Sequence, residues 1–156
     1  MTTTRLDRVF IFGDQLSFLI PHEWAEADEE GDSYLYHAQN AHSGWFRASL
    51  ISIKRGCSLE ELRSLLDERA QKESGQLYEV GDNVVVAWKE DSEEDSDPIT
   101  HFWWAVGHYH GPKLSHEALF SYTVLLERKA APETSRTVEL LGELVGQAKF
   151  APPKVV

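Results

Sequence analysis

Three long stretches of strand-forming residues between 77 and 128 constrain this chain more than anything else in it. Tyr78-Glu-Val-Gly-Asp-Asn-Val-Val-Val-Ala-Trp88 comes first, followed by an acidic run. Thr100-His-Phe-Trp-Trp-Ala-Val-Gly-His-Tyr-His110 is next, and Leu119-Phe-Ser-Tyr-Thr-Val-Leu-Leu126 closes the set. β-Branched and aromatic side chains at this density fit a pleated, half-buried surface. The reading is three successive strands at about 77–89, 99–110 and 119–128. Upstream, Arg8-Val-Phe-Ile-Phe12 stops at Gly13-Asp14 and reads as a buried first strand. Residues 34–38 and 45–53 read as a second and a third. Between the first two, Ser17 to Trp24 is apolar but broken by Pro21.

Two segments carry helical periodicity instead. Leu59, Leu62, Leu65 and Leu66 recur at helical spacing, and Ser58 with Glu61 has the spacing of a capping box. This predicts a helix from about Ser58 to Lys72, ended by Gly75. Pro132 and Glu133 open a second amphipathic helix, whose buried face is marked by Val138, Leu141, Leu144 and Val145. From about 150 the tail Phe-Ala-Pro-Pro-Lys-Val-Val should be extended. The fold class expected is α+β in a single domain over 1–156: a mainly antiparallel sheet with two amphipathic helices on one side. A partly open β-barrel with added helices is the alternative.

The formal charge of −11 is local. Twelve of the 26 acids lie in two stretches without a base, Glu23 to Asp32 and Glu90 to Asp97, leaving 14 acids against 15 bases. Two acidic loops could simply be solvated, or could form a negative rim for a basic peptide or protein. Direct nucleic-acid binding is disfavoured, because no Lys/Arg cluster provides a phosphate footprint. No apolar run approaches the roughly 20 residues of a membrane helix, and the charged start Met-Thr-Thr-Thr-Arg does not read as a signal peptide. The lone Cys57 fits a reducing compartment. The expectation is a soluble cytoplasmic or nuclear protein.

Val80-Gly-Asp-Asn-Val-Val-Val-Ala87 ahead of Phe102-Trp-Trp-Ala-Val106 resembles the first strand pair of SH3-like barrel readers, the Tudor, chromo-barrel and BAH modules. The resemblance spans residues 78–127. It implies an aromatic cage that holds a methylated lysine by cation–π attraction, without chemistry. The positions that fit are Tyr78, Trp88, Trp103 or Trp104, and Tyr122, with Tyr109 in the same aromatic inventory. The acids from Glu90 to Asp97 would hold the rest of a basic peptide.

Strand alternation puts Phe102, Trp104, Val106, His108 and His110 on one face, and His101, Trp103, Ala105, Gly107 and Tyr109 on the other. Paired imidazoles at His108 and His110 can share a metal, but the pattern lacks the glutamate spacing of a cupin, and no metal site is assigned. A second reading is a small enzyme of the cyclase, dehydratase or isomerase kind. It would use His108 or His110 with Asp82 or Glu117 to move a proton beside a flat aromatic ligand held by Trp104 and Phe102. A third is an acidic inhibitor or immunity protein for a basic partner. Cys57 at a helix start is read as structural. Neither a Gly-x-Ser-x-Gly elbow nor a phosphate-binding glycine loop occurs, so no cofactor is expected.

Overall fold

The computed structural model describes residues 5–27, 33–38, 44–53 and 57–152. Among these residues ten strands and two α-helices follow one another as β1 (Leu6–Ile11), β2 (Leu16–Pro21), β3 (Ala25–Ala27), β4 (Ser33–His37), β5 (Trp45–Ile53), α1 (Leu59–Glu73), β6 (Gln76–Val80), β7 (Asn83–Glu94), β8 (Asp97–Gly111), β9 (Leu114–Leu125), α2 (Pro132–Gly146) and β10 (Lys149–Phe150). The fold is α+β. A seven-stranded sheet runs β3-β4-β5-β9-β8-β7-β6 and a three-stranded one β1-β2-β10, with every pairing antiparallel. The large sheet is open at β3 and β6.

Several expected elements change character. The strand expected at 77–89 is two strands, because Gly81 takes φ +56° and folds Val80 back onto Asn83. The acidic run Glu90 to Asp97 is a hairpin arm: β7 and β8 stay paired out to Glu94 and Asp97. Asp95 and Ser96, both at positive φ, form the two-residue turn. Pairing with 97–102 overrides the weak strand preference of the acids. Of the other acidic stretch, Ala25–Ala27 forms β3, while 28–32 lie outside the described residues. So do 1–4, at the start of the chain, and 153–156, at the end of the tail. The first strand is an edge strand with Phe10 60% exposed. The strand buried on both sides is β2, which lies between β1 and β10, with Pro21 at its last residue where a missing donor is tolerated.

The helices lie on opposite faces of the large sheet, not on one side. Alternation along β8 shows it: a Cβ at Gly107 would meet Leu66 of α1, whereas the indole of Trp104 meets Gly142 of α2. Beneath α1 sits a small core of Cys57, Leu62, Leu66, Ala70, Val84, Val86 and Ala105. Leu59 and Leu65 remain exposed. Ser58 caps α1 by accepting from the Glu61 amide at 3.1 Å. The left-handed residue at its end is Ser74, while Gly75 packs so close to Ala87 that a Cβ would stand 2.6 Å from the carbonyl oxygen.

The main core fills the other face. Phe18 of β2 meets Tyr36, Phe46 and Phe120 of the large sheet edge-on, with ring centroids 5.3–5.9 Å apart. Leu141 and Val145 of α2 complete the layer. Burying each such ring contributes about 1.5–3 kcal/mol, enough to bind the two sheets into one body.

Candidate functional site

The register of the large sheet distributes the aromatic residues expected to form a cage. Trp104 (4% exposed) and Tyr122 (3%) face the main core. The Tyr122 hydroxyl accepts from the Gly44 amide at 3.0 Å, and Trp24 stacks on its ring. Tyr78 packs against the same core, and burial raises its phenol pKa. On the opposite face Trp88 and Trp103 are cross-strand partners and stack with centroids 5.9 Å apart. Arg69 of α1 lies 5.5 Å above Trp88 and occupies that ring face with an internal cation. Tyr109 packs under α1. The six residues therefore divide between both faces, and only Trp88 and Trp103 come together.

A different aromatic meets the acids. Helix α1 covers the β6–β7–β8 part of its face and reaches Leu119 and Glu117 of β9; among the described residues no helix lies over the end of β5 that carries Trp45. There Trp45, the first residue of β5, is 47% exposed and flanked by His37 of β4 at 4.7 Å between rings. The acidic hairpin arm extends beside it. Together they wall an open groove of ≈ 560 Å³ lined by Gly44, Trp45, Glu94, Asp95, Asp97, Ile99, Thr123, Leu125, Glu127 and Arg128. Four carboxylates face one guanidinium, and Arg128 already approaches Glu133 at 3.5 Å. Among the described residues none of the four carboxylates is in an ion pair. A second hollow of ≈ 190 Å³ shares Trp45, Glu94 and Thr123 and adds Leu35 and Arg47. A third of ≈ 280 Å³ continues past Arg47 to Trp103. A track thus crosses the open sheet from the hairpin tip towards the stacked indoles.

The sequence signal for this groove was half visible. The acids stood out as a run without a base; Trp45 looked like an ordinary strand residue. Only the antiparallel pairing of β5 with β9, which sets Trp45 opposite Thr123, brings it beside the hairpin.

The histidines form the second constellation, at the other end of β8. His108 and His110 share a face as expected, and His116 of β9 joins them: ring centroids are 4.7 Å apart for His108–His110 and 4.8 Å for His110–His116. His110 Nε2 lies 2.8 Å from His116 Nδ1. Asn83 donates from Nδ2 to the Gly146 and Ala148 carbonyls, at 3.0 and 2.8 Å, so its Oδ1 must accept. It does so from His108 Nδ1, 2.8 Å away, which fixes that imidazole's neutral tautomer with Nε2 unprotonated. Phe150 of β10 stacks on His108 and His116 at 5.3 and 5.9 Å. Burial lowers the pKa of all three histidines; Asp82 opposes the shift at His108. Asp82 and His108 also line one hollow of ≈ 230 Å³ with Tyr109. Glu117 is not part of the set. It points to the opposite face and pairs with Arg69 at 3.5 Å. Among the described residues no three His, Cys, Asp or Glu side chains converge on a point where a metal could sit.

The fold is an open antiparallel sheet between two unlike layers, and in this chain an exposed acid-and-indole groove lies beside Trp45. Solved structures share the fold. One is a protein of Bacteroides thetaiotaomicron VPI-5482, 17% identical with a TM-score of 0.64, which covers 93% of this chain and is covered over 48% of its own. Another is LpqN, involved in cell envelope biogenesis of Mycobacterium tuberculosis, 10% identical with a TM-score of 0.61, covered over 93% of its length and covering 97% of this chain. The chain spans about half the length of the first. No curated protein matches. Residues 6–140 match the DUF3805 family, described as a domain of unknown function, and the chain belongs to it. Among the described residues no helix is long and apolar enough to cross a membrane.

Proposed function

We propose that this domain is a recognition module that binds a cationic group of a basic partner, a lysine, arginine or methylated lysine side chain, in the groove at Trp45. The observation that supports it is the half-exposed indole beside four carboxylates free of ion pairs among the described residues. An indole face attracts a cation at about 0.5–2 kcal/mol depending on desolvation, and the carboxylates add a screened, longer-range attraction. This is the chemistry of a reader cage, with Trp45 in place of the Trp88 and Trp103 pair that Arg69 already serves. The test is titration of a lysine-rich peptide, unmodified and trimethylated, into wild-type and Trp45→Ala protein. Binding that weakens with salt and is reduced by the substitution supports the module. Equal binding by both proteins, or none, removes it.

The acid–base enzyme is a second reading, supported by the fixed tautomer of His108 beside Asp82 and an open hollow. Thermal stabilisation by a small aromatic ligand, absent in His108→Gln, would favour it. The cytoplasm or nucleus stays the proposed location on the strength of the lone Cys57. Cell fractionation that recovers the protein with the envelope would overturn that.

A further inference from the structure

The histidine cluster is built around a contact that can survive one added proton but not two. In the neutral pair, either His110 Nε2 or His116 Nδ1 holds the hydrogen that bridges their 2.8 Å separation. One proton added to His110 on its other nitrogen leaves that bridge intact. A second proton, on His116, puts an N–H on both sides of the contact and abolishes it. His116 is 0% exposed and its Nε2 has no hydrogen-bond partner, so a charge there would have neither water nor an acceptor.

What holds the cluster shut is slight. Among the described residues strand β10 pairs with β2 through Lys149 and Phe150, and a further bond runs from the Ala151 amide to the Gln15 carbonyl at 2.9 Å. Phe150 is the aromatic cover over His108 and His116. Asn83 links His108 to the last turn of α2 and to Ala148 beyond it.

The surrounding charges give a protonated cluster little support. On the β6–β7 turn, Asp82 acts on His108 alone. On β10 the sequence neighbour of Phe150 is Lys149, a cation opposite Ser17 of β2, and that serine accepts from Arg8 of β1 at 3.0 Å. On β5, Ser52 stands opposite His116. The last turn of α2 carries no base and one acid, Glu143, which is exposed, and Glu117 of β9 points to the far face.

We propose that the His108–His110–His116 stack is an acid-sensitive latch: neutral, it seats Phe150 and the end of α2 on the sheet, and acidification releases β10 and the turn before it. Released, the segment uncovers Leu16 and the cluster itself, while α1 on the other face stays in place. The lowered pKa values of all three imidazoles, that of His116 down to about 4, place the event in the acid range below the ordinary histidine value.

Hydrogen–deuterium exchange of the wild-type chain between pH 7 and pH 4, corrected for the intrinsic effect of pH on exchange, tests this. The amides of 147–151 should open by about tenfold or more, a factor equal to one unit of proton linkage, while those of α1 change little. His116→Phe should remain closed over the same range, and Phe150→Ala should be open already at pH 7. Unchanged exchange at 147–151, or opening of α1 in step with it, would overturn the latch. If His116→Phe does not fold, the wild-type contrast between the two segments still decides.

Discussion

The two ends of β8 solve opposite problems. At Asp97 the strand leaves the body in an acidic hairpin arm, with Asp91 held by Lys129 and the tip carboxylates in water beside an exposed indole. At His110 it ends in a cluster of three imidazoles, two of them under Phe150, with one ring nitrogen orphaned. Charges at the open end are screened and cost the fold little, so they are available for a partner. The closed end tolerates its buried imidazoles only while they are neutral, so it links stability to pH. One strand thus carries a charge-rich surface that the fold can lose and a polar cluster that it cannot.

Substitutions should expose this asymmetry. The largest effect is expected from Asn83→Ala, which strips partners from His108 Nδ1 and from two carbonyls at once. A loss of about 3 kcal/mol in a urea melt is expected. A loss under about 0.5 kcal/mol would mean the closed end is already hydrated. Next comes pH. A histidine whose folded pKa lies below its unfolded value near 6.5 contributes fully above that value and loses its contribution as pH falls towards the folded pKa. For His116, held at about 4, the fall in unfolding free energy between pH 6.5 and 4 should be about 3 kcal/mol. His116→Phe should flatten that slope in melts across the range.

At the open end the effects should move from stability to binding. Trp45→Ala should weaken a cationic peptide by about 1 kcal/mol, roughly fivefold in Kd by calorimetry, with little change in melting. Smallest of all, Glu94→Gln with Asp95→Asn should alter stability by no more than about 0.5 kcal/mol. The pair should also reduce the salt dependence of peptide association in stopped-flow traces. A large stability change there would erase the contrast between the two ends.

Much of the fold was legible because local and tertiary demands agreed. Ser58 caps α1, Pro132 opens α2, and residues 45–53 pair along their whole length as read. The face assignment of β8 followed from alternation alone. What failed to show were features decided by partners elsewhere in the chain. Gly81-Asp82 looked like part of one strand because the valines after it mask the turn. Pro21 hid a buried strand whose last residue needs no donor. The acidic run looked like a loop because its pairing strand lies just beyond it. The histidine cluster needed His116, which only the β8–β9 register sets opposite His108. Trp45 reaches the acids by the same kind of long-range pairing.

The stacked pair Trp88 and Trp103 has an optical consequence. Two stacked indoles at 5.9 Å are close enough for their electronic transitions to couple, so the pair should contribute to the near-ultraviolet circular dichroism. Arg69 ties that pair to α1, whereas Trp45 stands apart in the groove. The protein therefore carries two separate intrinsic reporters. The dichroism of the stacked pair follows the seating of α1, and the emission of Trp45 follows what enters the groove.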